Sequence, residues 1–155
     1  MQTEAAALNE EYMDVQTSRF GLVRVNRGKV LTMTSPFLGF PESRRFFLRP
    51  HAEDSPFMWL QSLDNPQLAF VVVQPELFLE DYSPVLQKFV LEELEFSKES
   101  DKEILVILTI PPGKPEEMTA NLLGPVVINT SKRLAKQVLL DPGKYDPCRK
   151  VVQQN

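Results

Sequence analysis

Two side chains carry most of the chemical potential of this chain, and there is one of each: His51 and Cys148 among 155 residues. A zinc centre needs several imidazoles or thiolates, so none can be assembled here. A lone cysteine forms no internal disulfide. Any Ser-His-Asp or Cys-His set would have to run entirely through His51. His51 lies in the polar, proline-bounded stretch Pro50-His51-Ala52-Glu53-Asp54-Ser55-Pro56, where a solvent-facing role is the simpler reading. Cys148 stands between Pro147 and the basic Arg149, where a spectator thiol is the better reading than a reactive one. With 13 prolines and only 6 glycines the loops are stiff, and neither GxxxxGK nor GxGxxG occurs to cradle a phosphate. The expectation is a binding protein rather than an enzyme, with no cofactor and no metal.

The elements that position these residues come in short apolar bursts separated by proline, asparagine or charge, the rhythm of a mainly β protein. Strands are expected at Arg19–Val25, Val30–Thr34, Arg45–Leu48, Phe57–Gln61, Leu68–Val73, Ile104–Ile110, Leu122–Asn129 and Ala135–Leu140. Asn26-Arg27-Gly28 reads as a turn between the first two, with Gly28 free to take positive φ. Asn129-Thr130-Ser131-Lys132 reads as the turn of a final hairpin. Leu68–Val73 and Ile104–Leu108 are apolar on both faces, as strands covered on two sides would be. Leu86, Phe89, Val90 and Leu94 recur at helical spacing, which predicts one short helix over Pro84–Phe96. Eight strands and a helix suggest a small antiparallel β-barrel or strongly bent sheet. Residues 19–150 form the expected single domain. Residues 1–18 read as a flexible N-terminal extension and 151–155 as a C-terminal tail.

Charge is unevenly spread about a net −4. Residues 19–49 carry seven Lys/Arg against the single acid Glu42, and 132–150 carry six against two. Residues 76–103 carry nine acids against three lysines. Such clustering steers charged partners, although any one run can simply be a solvated face. Direct nucleic-acid binding fits less well, because the basic residues alternate with apolar ones and no exposed aromatic run accompanies them. A small β-barrel that binds RNA directly is the alternative reading. Met1–Glu10 has an early Glu4 and no basic start, unlike a signal peptide. No apolar run approaches the roughly 18 residues of a spanning helix, so the expectation is a cytoplasmic protein away from the membrane.

Several polar and aromatic residues sit where a plain core would not need them. Trp59, the only tryptophan, reads most simply as a barrel plug with its indole N–H bonded. Gln61 shares its strand face and is either a buried amide holding a loop or part of a contact surface. Asp64-Asn65-Pro66 reads as a turn. Tyr82, after Phe78, Glu80 and Asp81, is an interface anchor or a loop tie. Asn121 and Asn129 read as loop-pinning amides, and Gly124-Pro125 as a bulge or sharp bend.

Taken together, PFMWLQSLDNPQLAF (Pro56–Phe70), the FxxDY of Phe78–Tyr82 and TANLLGPVVINTSKRLAKQVLL (Thr119–Leu140) resemble the FliW family of flagellar assembly factors. The likeness runs from about Phe20 to Arg149, and Gly39-Phe40-Pro41 resembles that family's glycine-phenylalanine turn. The resemblance implies a small antiparallel β-barrel that binds the translational repressor CsrA, relieves repression of flagellin synthesis, and exchanges CsrA for flagellin. A basic RNA-binding partner would meet the acidic belt, with Glu80, Asp81, Glu92, Glu93 and Glu95 as candidate contacts. Flagellin would meet an apolar-aromatic patch near Trp59, Phe78 or Tyr82.

Overall fold

The computed structural model describes residues 11–151. Eleven strands occur among them: β1 (Tyr12–Thr17), β2 (Gly21–Asn26), β3 (Leu31–Met33), β4 (Arg45–Pro50), β5 (Met58–Ser62), β6 (Ala69–Val73), β7 (Lys102–Thr109), β8 (Thr119–Ala120), β9 (Val126–Asn129), β10 (Leu134–Gln137) and β11 (Arg149–Lys150). The helix α1 (Lys88–Glu93) precedes β7. Strands β3 to β7 follow one another in antiparallel register, and β7 also pairs with β9, β9 with β10, and β10 with β3. The sheet therefore closes into a ring of seven strands. The expected barrel is present, with one pairing that local sequence could not announce: β10 runs parallel to β3 where the ring seals.

Strand parity explains the core. Leu31, Met33, Phe46, Leu60, Val72, Leu105, Val126, Ile128 and Ala135 point inward and fill the barrel with side chains. The alternate residues point outward and are covered by three separate attachments. The β1–β2 hairpin lies over Phe47 of β4 through Val15 and Val25. The segment after β6, with the chain's C-terminal stretch, covers Val73, Val106 and Leu108. Helix α1 buries Val90 and Leu94 against Val127 and Val138. Coverage from within and without is why β6 and β7 read as apolar on both faces.

Four expectations need correction. Residues 12–17 are part of the fold: the alternation of Met13, Val15 and Thr17 makes β1, which pairs with β2 along its length. Residues 1–10 of the expected extension lie outside the described residues, as do 152–155 of the expected tail, whereas Val151 is buried. Asn26-Arg27-Gly28 does not join paired strands. Asn26 Oδ1 accepts from Gly28 N at 2.8 Å and caps a short 3-10 turn, so Gly28 needs no positive φ. The positive φ belongs to Gly21, at +68°, where the β1–β2 hairpin turns.

The helix is shorter than its apolar spacing suggested, and Pro84 stands outside it, buried in the approach. It stops at a left-handed residue: Glu95 has φ 56°, its N–H donates to Glu92 O at 3.0 Å, and Phe96 N–H donates to Leu91 O at 2.9 Å. These two bonds are a Schellman cap with glutamate where glycine is usual. The strand expected at Leu122–Asn129 is broken. Asn121 Oδ1 accepts from Leu123 N and Gly124 N at 3.1 and 2.9 Å, and the chain bends there before Pro125 starts it along β7 again. The bend expected at Gly124-Pro125 thus divides β8 from β9.

Candidate functional site

The turn motifs of the sequence are structural pins. Gln61 is fully buried and its Nε2 donates to Ser62 O and Pro66 O at 3.0 and 3.3 Å, holding the loop above it. Asp64 closes that loop. Its Oδ1 accepts from Arg45 Nε and Nη2, and its Oδ2 accepts from the backbone N–H groups of Arg44 and Arg45. Burial pushes the Asp64 carboxyl up, but these bonds outweigh it and hold the group below the ordinary carboxylate range. Asn129 Nδ2 donates to Leu94 O and Glu95 O at 2.8 and 3.2 Å, and its Oδ1 accepts from Lys132 N at 3.2 Å. One amide thus ties the β9–β10 turn to the end of α1.

Trp59 is not a plug. Leu60 points into the barrel, so its neighbours Trp59 and Gln61 must point out. Trp59 is half-buried on the outer face, with the Arg19 guanidinium 4.1 Å from its ring centroid and the Phe20 ring edge-on at 6.0 Å. Phe78 and Tyr82 belong to a different region, packed beside Val73, Val106 and Leu108. The Tyr82 hydroxyl donates to Leu122 O at 2.7 Å, and its ring meets Tyr145 edge-on at 5.6 Å. Burial, with the neighbouring Tyr145, pushes the Tyr82 hydroxyl well above the usual tyrosine range. Tyr82 is a loop tie. The three aromatics therefore form no single patch.

The acidic candidates divide in the same way. Glu80, Asp81, Glu92 and Glu95 are exposed. Glu93 is committed inside the molecule: its Oε2 pairs with Lys136 Nζ of β10, and Ser35 Oγ donates to its Oε1 at 3.2 Å. The Lys136 hydrogen bond outweighs burial and keeps the Glu93 carboxyl below its ordinary value. The second acid on the helix is free to meet a partner, since Glu92 makes only a loose 3.8 Å contact with Lys88.

Sequence reading missed the exposed apolar residues on this helix and on the loops of the barrel. Leu38 is 97% exposed, Val85 90%, Leu139 79% and Phe89 58%. Leu139 joins two clefts. One, of about 290 Å³, is shared with Leu38, Leu123 and Gly124; the other, of about 470 Å³, is shared with Val85, Lys144 and Tyr145. Phe89 sits under Lys136, whose Nζ is 5.5 Å from the ring centroid. Leu38 projects because Phe40 N–H donates to Phe37 O at 3.0 Å around Gly39 at φ +90°, while Phe37 itself is buried. That Leu-Gly pair between two phenylalanines was the available signal: a turn apex occupied by leucine instead of a polar residue.

No group of three or more His, Cys, Asp or Glu among the described residues could hold a metal ion. No helix among them is long and apolar enough to cross a membrane. Because side chains fill the barrel, whatever the protein recognises must meet its exterior, and the class is a closed, solid β-barrel with attachments on its outer faces. Comparison with known proteins identifies the family. The family model described as FliW protein matches residues 14–150. A flagellar assembly factor FliW from Magnetococcus marinus is 41% identical over 127 residues, covering 82% of this chain and 78% of the relative. One from Syntrophus aciditrophicus is 37% identical over 143 residues, covering 92% and 89%. A crystal structure of the flagellar assembly factor FliW superposes with a TM-score of 0.82 at 33% identity, covering 91% of this chain and 98% of that one. The chain belongs to the FliW family of flagellar assembly factors.

Proposed function

We propose that this protein acts in the cytoplasm as a protein-binding regulator of flagellar assembly, taking CsrA off flagellin mRNA and releasing it when flagellin competes. The observation that carries this reading is the exposed surface of α1 and of the two clefts that share Leu139: Glu92 and Phe89 stand exposed on the helix, Val85 stands exposed shortly before it, and Leu139 links the cleft of Val85 to that of Leu38. Apolar residues supply the contact area of a protein interface, and a charged residue beside them orients a basic partner. An RNA-binding repressor must carry basic surface, so the exposed acids Glu92 and Glu95 suit it. Glu80 and Asp81 stand exposed on the loop before the helix, and Glu95 just past its end. Glu93 supports the site indirectly by holding the helix to β10. Tyr82 and Phe78 shape the loop that carries Glu80 and Asp81. For flagellin the apolar clefts around Leu139 are the better candidate than Trp59, whose ring is occupied by Arg19.

The test is a calorimetric titration of CsrA into wild type, Glu92→Lys and Leu139→Asp, followed by addition of purified flagellin. We expect CsrA binding to wild type, weakening of at least tenfold in each variant with an unchanged circular-dichroism spectrum, and displacement by flagellin. Undetectable CsrA binding to wild type, or equal affinities throughout, refutes the reading.

A further inference from the structure

Away from α1, where the hairpin crosses β4 and β5, the surface is basic and its arginines lie over aromatic rings. Arg49 lies over Phe20 with its guanidinium carbon 4.6 Å from the ring centroid, Phe20 meets Trp59 edge-on, and Arg19 lies over Trp59. The result is a continuous ladder, Arg49–Phe20–Trp59–Arg19. The hairpin turn that carries Arg19 is fixed in place by Ser18 N–H donating to Pro66 O at 2.9 Å and by Thr17 Oγ1 donating to Gly21 O at 2.8 Å. Beside the ladder, a groove of about 300 Å³ between hairpin and β4 is lined by Arg24, Lys29 and Arg49 and by no carboxylate. Arg24 is itself seated over Tyr12 at 5.1 Å. Among the described residues, none of these four cations has a carboxylate within 4.0 Å, and Asp14, opposite Arg24 in the hairpin register, stays beyond that distance.

An exposed arginine usually samples many rotamers. Stacking on a ring holds the guanidinium plane flat while its N–H edge stays open to solvent. That edge matches a carboxylate in a two-bond fork, and the ordering cost has been met before the ligand arrives. We propose that this groove and the ladder beside it form a docking site for an acidic, Asp- or Glu-rich peptide segment of a partner protein, separate from the surface around α1. Single-stranded RNA is the poorer fit. Base stacking needs open aromatic faces, whereas Tyr12, Phe20 and Trp59 are half-buried and each carries an arginine. A longer polyanion would also extend beyond the patch onto a protein of net charge −4.

Trp59 is the only tryptophan, so its emission reports on the site directly. The full chain is titrated with a tryptophan-free twelve-residue Glu-Ser peptide and, separately, with a twelve-nucleotide oligouridylate. We expect a saturable change in emission with the peptide, falling steeply with added salt. Affinity should drop at least tenfold in Arg19→Gln/Arg49→Gln and less than twofold in Lys98→Gln/Lys114→Gln, which removes the same charge elsewhere. A second variant, Arg24→Gln/Lys29→Gln, empties the groove without touching the Phe20 and Trp59 stacks, and should also lose at least fivefold with unaltered circular dichroism. No saturable response, equal losses in the patch and control variants, or tighter binding of the oligonucleotide overturns the proposal. None of these outcomes depends on CsrA binding at α1, so the two readings stand or fall separately.

Discussion

Replacing Asn129 tests whether one buried amide couples the β9–β10 turn to the helix on which the candidate surface stands. Asn129 is fully buried, and its side chain makes three hydrogen bonds: two donated to the carbonyls of Leu94 and Glu95, just past the end of α1, and one accepted from Lys132 N. At roughly 1 kcal/mol net for each neutral bond, Asn129→Ala should cost about 2–3 kcal/mol, with some further loss if Leu94 O is left dry. For a chain of this size that corresponds to a fall in Tm of about 5–10 °C. Asn129→Asp is the sharper variant. It is nearly isosteric and keeps the acceptor for Lys132, but it turns an oxygen toward two carbonyl oxygens and buries a charge, so it should cost more than the alanine at neutral pH. Urea denaturation gives the two free energies, and hydrogen exchange at Val90 to Glu95 shows whether the helix loosens first. A cost under about 0.5 kcal/mol for the alanine, or an aspartate as stable as wild type, would refute the coupling.

Glu95→Gly should stabilise the protein by about 0.5–1 kcal/mol, because glycine adopts the left-handed conformation without a Cβ clash and the Schellman bonds are retained; thermal melting checks it. Tyr82→Phe should cost about 1 kcal/mol by deleting the bond to Leu122 O, read by urea midpoint at neutral pH. Above pH 10 the unfolded chain loses a tyrosine proton that folded Tyr82 keeps, so wild-type stability should decline there more steeply than that of Tyr82→Phe. The Glu93–Lys136 pair has the opposite sign. Its carboxyl is held low by Lys136, so the advantage of wild type over Glu93→Gln should be complete above the ordinary glutamate pKa of 4.5 and shrink as pH falls through the folded value. A pH-independent difference between those two proteins would contradict the assignment.

What could be read from the residues was whatever is decided locally. Asn129–Lys132 announced the β9–β10 hairpin, Asp64-Asn65-Pro66 announced its turn, and the doubly apolar runs announced β6 and β7. The alternation in Tyr12–Thr17 was equally plain, but nearness to the terminus argued against it, and nothing in the sequence shows that Phe47 and Val25 need a cover. Helix α1 was placed correctly and drawn too long, since periodicity marks a face and Glu95 at φ 56° marks the end only once the chain is folded. The candidate site was less legible than the fold. Glu92 and Glu93 are identical in sequence terms, and only Lys136, more than forty residues later, separates the free acid from the committed one. Trp59 gave no hint of its arginine because Arg19 reaches it through a hairpin that has to cross two strands of the barrel.

The parallel contact between β3 and β10 has a further consequence for how the molecule comes into being. Thr32 lies beside Leu134, so the first and last staves of the ring meet only after nearly the whole chain has left the ribosome. Until that seam shuts, β3 and β9 present raw strand edges on which any passing extended segment can anneal. Assembly of so non-local a closure is intrinsically slow. A nascent or truncated copy that ends before Leu134 should therefore behave as a sticky open sheet.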